Sequence, residues 1–333
     1  MQVLVTGAAG FIGSSIASAL GIRGVPVLAI DNFSPYYSIT LKKLRQEVLL
    51  NNPNIDFRIC DLADLSSVQK LFEDNEISTV IHLAAQAGVR VPIQSWGNYT
   101  RDNLSGFANL LMISAESKIE NFLYASSSSV YGNSSEDKFS ESGLPAAPVS
   151  FYGATKLSNE ILASSTSKLT GMKTRGLRFF TVYGPWGRPD MVYFRMVTSA
   201  ITRNPFEFFG DGQVERDFTF ISDVVDMTLA LVNELEKRPQ TFADVVNIGG
   251  GRPKSINQIL EITQEVAGTD IPFLRKEANR SDVKRTSADF SYLNSLINIH
   301  PSIEAESGIA EFYRWASQKE IKPGLAEWVR SVP

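Results

Sequence analysis

The sequence predicts an α/β protein: a mostly parallel sheet covered by helices on both faces, with a smaller mixed α/β domain set against it. Three observations predict it. Short apolar runs alternate with helical patterns through the first half, a glycine-rich turn joins the first run to the first helix, and beyond residue 181 the alternation dissolves into loops rich in Gly, Pro and aromatics. The runs at residues 3–5, 25–30, 57–60, 79–83, 122–125 and 174–180 have the length and apolar content of buried strands. Between the first two, Ile12, Ile16 and Leu20 recur at every fourth position, which is one face of a helix. Further helices are expected near 223–236, 255–267 and 304–319, and VVNIGGG at 245–251 reads as a strand that returns to the sheet. The expected division is therefore discontinuous, with residues 1–180 and about 218–248 in the sheet domain and about 181–217 and 249–333 in the smaller one.

The 333 residues are enough for one large or two fused domains, and a hydrophobic share of 43% with 20% charged residues is ordinary for a globular chain. A net charge of −4 without a long basic run gives no electrostatic reason to expect nucleic acid or an anionic membrane as partner. The single Cys60 cannot form an internal disulfide, so a reducing, cytoplasmic setting is expected. The chain opens directly on a strand and glycine loop, and no apolar run reaches the roughly 18 residues of a membrane span. With only His82 and His300 and no Cys/His cluster, no metal site is expected.

In VLVTGAAGFIG, Gly7, Gly10 and Gly13 stand between a strand and a helix. Glycines there let the backbone approach a pyrophosphate, and the helix N-terminus favours its charge. Asp31 closes the second strand, 18 residues after Gly13, where a carboxylate accepts hydrogen bonds from a ribose and repels a 2′-phosphate, so NAD is favoured over NADP. A turn cap before Asn32 is the other reading. Asp61, after the third strand, approaches an adenine or caps the helix beginning near residue 64.

Tyr152 and Lys156 lie one helical turn apart in PVSFYGATKLSNEIL, downstream of the serine tract SSSSVYG at 126–132. On one helix face, an ammonium favours the phenolate form of its neighbour. Lowering a tyrosine from about 10 to about 7 takes roughly 4 kcal/mol; one cation at about 4 Å in an effective dielectric near 20 supplies on the order of that, partly offset by burial of the phenolate, so Lys156 and an oxidised nicotinamide together are expected to suffice. The glycine spacing, the LAA turn at Leu83, Ala84 and Ala85, the serine tract and Y-x-x-x-K together resemble the extended short-chain dehydrogenase/reductases. Within them, DNFSPYYSITLKKLR, HLAAQAGVR, ASSSSVYG and LRFFTVYGPWGRPDM resemble the UDP-glucuronate 4-epimerases.

That resemblance implies a Rossmann-type NAD-binding domain and a nucleotide-sugar-binding domain. It also implies tightly bound NAD, a UDP-sugar substrate (UDP-glucuronate or UDP-galacturonate) and a homodimer built on helices near 95–115 and 151–170. Ser127, Tyr152 and Lys156 would be catalytic. Phe11, Ile12, Leu62, Asn103 and Ser126 join the glycines, Asp31, Asn32, Asp61 and the Leu83–Ala85 turn around the dinucleotide. Dehydratase relatives carry an Asp-Glu pair, and decarboxylases a Glu, where this chain has Ser128 and Ser129, which argues against elimination. A 4-keto uronate is a β-keto acid prone to lose carbon dioxide. Ser128, Ser129, Thr181 and Arg188 are expected to hold its carboxylate out of alignment with the carbonyl, although loop bonding for the serines and a salt bridge for Arg188 are open readings. Arg195, Arg216, Arg280 and Asp282 are expected at the diphosphate and uridine, with NRSDV departing from the PGDV common in the family, and Arg90 is a candidate for the sugar pocket. A neutral-sugar epimerase, a nucleotide-sugar decarboxylase and a noncatalytic NAD-binding scaffold are the competing readings.

Overall fold

The computed structural model describes residues 1–89, 92–134, 136–143, 147–277 and 283–332. Strands β1 (Gln2–Thr6), β2 (Val27–Asp31), β3 (Ile55–Ile59), β4 (Ile77–His82), β5 (Asn121–Ser127) and β6 (Lys173–Phe179) form the sheet that the apolar runs mark. Strands β7 (Thr181–Tyr183), β8 (Phe206–Phe209) and β9 (Glu215–Phe220) follow, then β10 (Ala243–Ile248), β11 (Pro253–Ser255) and β12 (Phe273–Lys276). The large sheet has the order β3-β2-β1-β4-β5-β6-β10, all parallel. VVNI does return to it, pairing Val246 with Leu177.

Helices α1 (Phe11–Ile22), α2 (Ile39–Leu49) and α3 (Leu65–Glu73) cross between the first four strands. The short α4 (Trp96–Tyr99) runs through a π-helical turn at Thr100–Ser105 into α5 (Gly106–Glu116), and α6 (Phe151–Thr170) follows β5. Local chemistry starts them: Asp64 caps α3 and Ser150 caps α6 by accepting from Gly153 N at 3.0 Å. Strand order reverses between β1 and β4, and a crevice opens at the carboxyl ends of the strands on either side, where α/β sheets bind ligands.

The smaller region holds α7 (Val192–Thr202), a three-stranded sheet β11-β9-β7, the pair β12-β8 and α9 (Ile256–Ala267), with α10 (Ser291–Leu296) to α12 (Leu325–Arg330) at the end of the chain. Helix α8 (Ile221–Glu236) packs on α1 and the sheet, so one apolar core runs from Ile16 and Val27 through Phe194 to Trp328. Among the described residues no helix is long and apolar enough to cross a membrane.

Candidate active site

One cleft of about 760 Å³ runs from the glycine turn, across the ends of β1, β4 and β5, to β7 and β9. Its first half is a cradle for a dinucleotide. Gly7 has φ +69°, and a Cβ on Gly13 would sit 2.1 Å from the Gly7 carbonyl oxygen, so this close-packed turn admits no side chain. Helix α1 begins at Gly10 without a side-chain cap, which leaves its first N–H groups directed at the cleft. The turn-cap reading of Asp31 holds: Oδ1 accepts from Phe33 N at 2.7 Å and Oδ2 from Ala9 N at 3.0 Å, while the carboxylate still borders the cleft with spare lone pairs.

Asn32, Leu62, Phe11, Ile12 and the Leu83, Ala84 and Ala85 turn also line this end. Thr6 fixes the turn, its Oγ1 accepting from Leu83 N and Ala84 N and sharing a hydrogen bond with His82 Nδ1 at 2.8 Å. Burial holds the His82 pKa down at about 3, so the ring is neutral and structural. Asp61 borders the cleft, but it does not cap α3. It accepts from Ala63 N at 2.9 Å and pairs with Arg101, and the cap is Asp64.

Asn103, expected at the cofactor, does not line the cleft. It is buried in the π-helical turn, where Oδ1 accepts from Gln86 N at 2.7 Å and Nδ2 donates to Gln86 O and Thr155 Oγ1, so its amide is spent holding the wall residue Gln86 to α6. Ser126 borders the cleft, yet its hydroxyl turns away to Glu160 at 2.5 Å; Glu160 in turn holds Arg178 through both carboxylate oxygens, at 2.9 and 2.7 Å.

At the centre stand Ser127, Tyr152 and Lys156, all lining the cleft. The Lys156 ammonium donates to Ala125 O at 3.0 Å and lies 5.8 Å from the Tyr152 ring centroid; burial lowers its pKa to about 8. Burial also raises the Tyr152 phenol, and the nearby Arg188 guanidinium and a hydrogen bond with Ser127 pull it back. Lys156 therefore does not set the phenol's charge by itself, because the burial that brings the pair together penalises both ions. Ser127 Oγ also accepts from Ser129 N at 3.2 Å and meets Ser129 Oγ at 3.1 Å, which folds Ser128 and Ser129 into a tight turn on the cleft wall. The Ser129 hydroxyl thus meets a side chain, Ser127 Oγ.

The far end collects Thr181, Arg188, Arg195 and Arg216. Arg188 makes a salt bridge, as the second reading had it, but with a neighbour inside the cleft: Asp190, two residues on. Arg195 Nε is buried and lacks a hydrogen-bond partner among the described residues, an unmet donor of the kind a phosphate oxygen satisfies. Arg216 donates to the Glu215 and Val283 carbonyls. Arg90, Arg280 and Asp282 lie outside the described residues.

Sequence reasoning missed Tyr36, Gln86 and Asp190, which line the cleft. It also missed Arg45 on α2, which is fully buried and donates to Ala9 O, Tyr37 Oη, Trp186 O and Gly187 O at 2.7–3.1 Å. Asp190 lay two residues from a flagged arginine and was open to notice; the burial of Arg45 had no local signal.

A parallel sheet with a glycine cradle at its switch point, and a Ser, Tyr and Lys set beyond it, defines a dinucleotide-dependent enzyme acting on a hydroxyl. The chain belongs to the NAD dependent epimerase/dehydratase family, whose model matches residues 3–249. It is 38% identical to UDP-glucuronate 4-epimerase 2 of Arabidopsis thaliana over 328 residues, 95% of this chain and 75% of that one. It is 37% identical to the UDP-glucuronate 4-epimerase of Thermodesulfobacterium geofontis, covering 95% and 96%. The crystal structure of UDP-glucuronic acid 4-epimerase from Bacillus cereus with UDP-glucuronic acid and NAD superposes with a TM-score of 0.88 at 35% identity, covering 95% of this chain and 98% of that one. The residues of the cradle fit NAD: a turn that excludes side chains, an uncapped helix start, and a carboxylate at the end of β2.

Proposed function

We propose that the protein inverts C4 of a UDP-linked uronic acid, interconverting UDP-glucuronate and UDP-galacturonate. The observation that carries this reading is the meeting, in one cleft, of the glycine cradle with Ser127, Tyr152 and Lys156 and, beyond them, the arginines 188 and 195. Bound NAD supplies a hydride acceptor at C4, later a donor, and a positively charged ring. Tyr152 takes the proton of the C4 hydroxyl, with Ser127 hydrogen-bonded to the same oxygen. Arg188 and the hydrogen bond with Ser127 oppose the burial that raises the phenol, and the positive nicotinamide ring of bound NAD would add to them. Arg195 and Arg216 hold the diphosphate while the planar ketone turns its other face to the cofactor, and Tyr152 then returns its proton to the oxygen. No second acid is needed, which suits Ser128 and Ser129 at positions where dehydratases carry carboxylates. Arg188 with Thr181 and the serines fixes the sugar carboxylate against loss of carbon dioxide.

The proposed division assigns residues 1–180 and about 218–248 to NAD and the remainder to the nucleotide sugar. A homodimer through α5 and α6 is supported by Met112, Ile161, Leu162 and Leu169, apolar side chains that these helices leave exposed. A cytoplasmic setting suits the one buried thiol. Incubation with UDP-glucuronate and no added reductant is expected to yield UDP-galacturonate, and Tyr152→Phe to lose most of that activity, by about 10²–10⁴-fold. UDP-xylose as the main product would replace this reading with a decarboxylase, and full activity of the Phe variant would remove Tyr152 from it.

A further inference from the structure

Arg188 does not face the cleft as a bare cation. Its Nε donates to Asp190 Oδ1 at 3.0 Å and its Nη2 to Oδ2, so one whole edge of the guanidinium is committed to a carboxylate whose side chain is 12% exposed. Nη1 has no hydrogen-bond partner among the described residues, and both residues line the cleft. The segment is stiff. Arg45 holds the carbonyls of Trp186 and Gly187 just before it, and Met191 N closes a turn on Arg188 O at 3.3 Å. Across the cleft, Tyr36 lies within the field of Asp190, Arg188 and Arg195 together.

We propose that Asp190 is a positioning residue for the sugar carboxylate: it locks the Nε–Nη2 edge of Arg188, leaving the Nη1 edge for the substrate, and offsets the guanidinium charge at the point where that carboxylate docks. The inference rests on the uronate reading above. A planar guanidinium held along one edge offers its other edge at one angle, and the angle of the C6 carboxylate decides its fate. If the C5–C6 bond lines up with the C4 carbonyl π system it breaks: carbon dioxide leaves, the bonding pair passes into the C4–C5 bond and onto the C4 oxygen, and C5 then takes a proton. An Arg188 released from Asp190 binds the carboxylate more tightly but follows it through a range of angles.

The test compares Asp190→Asn, which keeps the shape and loses the charge, with Asp190→Glu, which keeps the charge. Calorimetric titration with UDP-glucuronate, UDP-glucose and UDP separates carboxylate effects from general damage, and chromatography gives the fraction of product that has lost carbon dioxide. In Asp190→Asn, affinity for UDP-glucuronate is expected to rise severalfold with UDP-glucose and UDP unchanged, and the decarboxylated fraction to rise severalfold. Asp190→Glu is expected to return both toward wild type. Equal shifts for all three ligands, or no shift in affinity or product ratio, would overturn the role of Asp190. A wild-type protein that does not turn over UDP-glucuronate defeats the functional reading, while the binding comparison still decides whether Asp190 governs the carboxylate.

Discussion

Lys156→Met is expected to make the nucleotide-free protein more stable at pH 7 while abolishing its activity. The ammonium is buried, its pKa is lowered from 10.5 to about 8, and burial is the cause. A displacement of that size corresponds to about 3 kcal/mol of destabilisation at neutral pH. The unfolded chain binds this proton more tightly than the folded one, so the penalty is complete below about pH 8 and fades toward 10.5, with stability rising as pH rises through that window. Methionine removes the penalty and forfeits one hydrogen bond to Ala125 O, worth about 1 kcal/mol, which leaves a net gain of about 2 kcal/mol at pH 7. By pH 9.5 the penalty has fallen to about 1.5 kcal/mol, and the advantage of the variant nearly disappears. Urea denaturation of both proteins at the two pH values measures the difference, and epimerisation assays follow activity. A variant less stable at pH 7, or a difference that does not change with pH, would refute the assignment of Lys156 as a desolvated cation.

Other outcomes follow from the same geometry. Gly13→Ala is expected to yield protein without bound NAD, because its Cβ would meet the Gly7 carbonyl oxygen at 2.1 Å; absorbance of the nucleotide released on denaturation checks it. Glu160→Gln is expected to cost about 3–5 kcal/mol in thermal or urea unfolding, since it strands the buried Arg178 guanidinium without the carboxylate that pairs with it. Leu162→Glu with Ile161→Glu is expected to shift the proposed dimer toward monomer in sedimentation, with unchanged secondary structure by circular dichroism.

Most of the sheet was legible in the sequence because its central strands β1, β2 and β4 carry runs of buried apolar residues, and VVNI in β10 was readable for the same reason. Strands β8, β11 and β12 were not, since three or four residues carry no period and their partners lie far along the chain. At the site, the glycine turn and the Tyr152–Lys156 pair have local signatures. Asn103 was named on the family resemblance alone, and its amide is taken up by Gln86, a partner that only the tertiary structure supplies. Arg45 and Asp190 were passed over because charged residues are presumed to face water, whereas here each is enclosed by backbone or by an opposite charge.

Arg45 ties the two ends of the cleft together. Its single guanidinium grips Ala9 in the nucleotide turn and Trp186 and Gly187 beside Arg188, with no carboxylate among the described residues to share the load. Trp186 stands at φ +65°, a conformation a tryptophan does not hold without such support. The walls that grip opposite ends of the reacting pair are thus fastened by one rivet: when one shifts, the other is carried along or the rivet must shear, exposing three bare carbonyls in a dry interior.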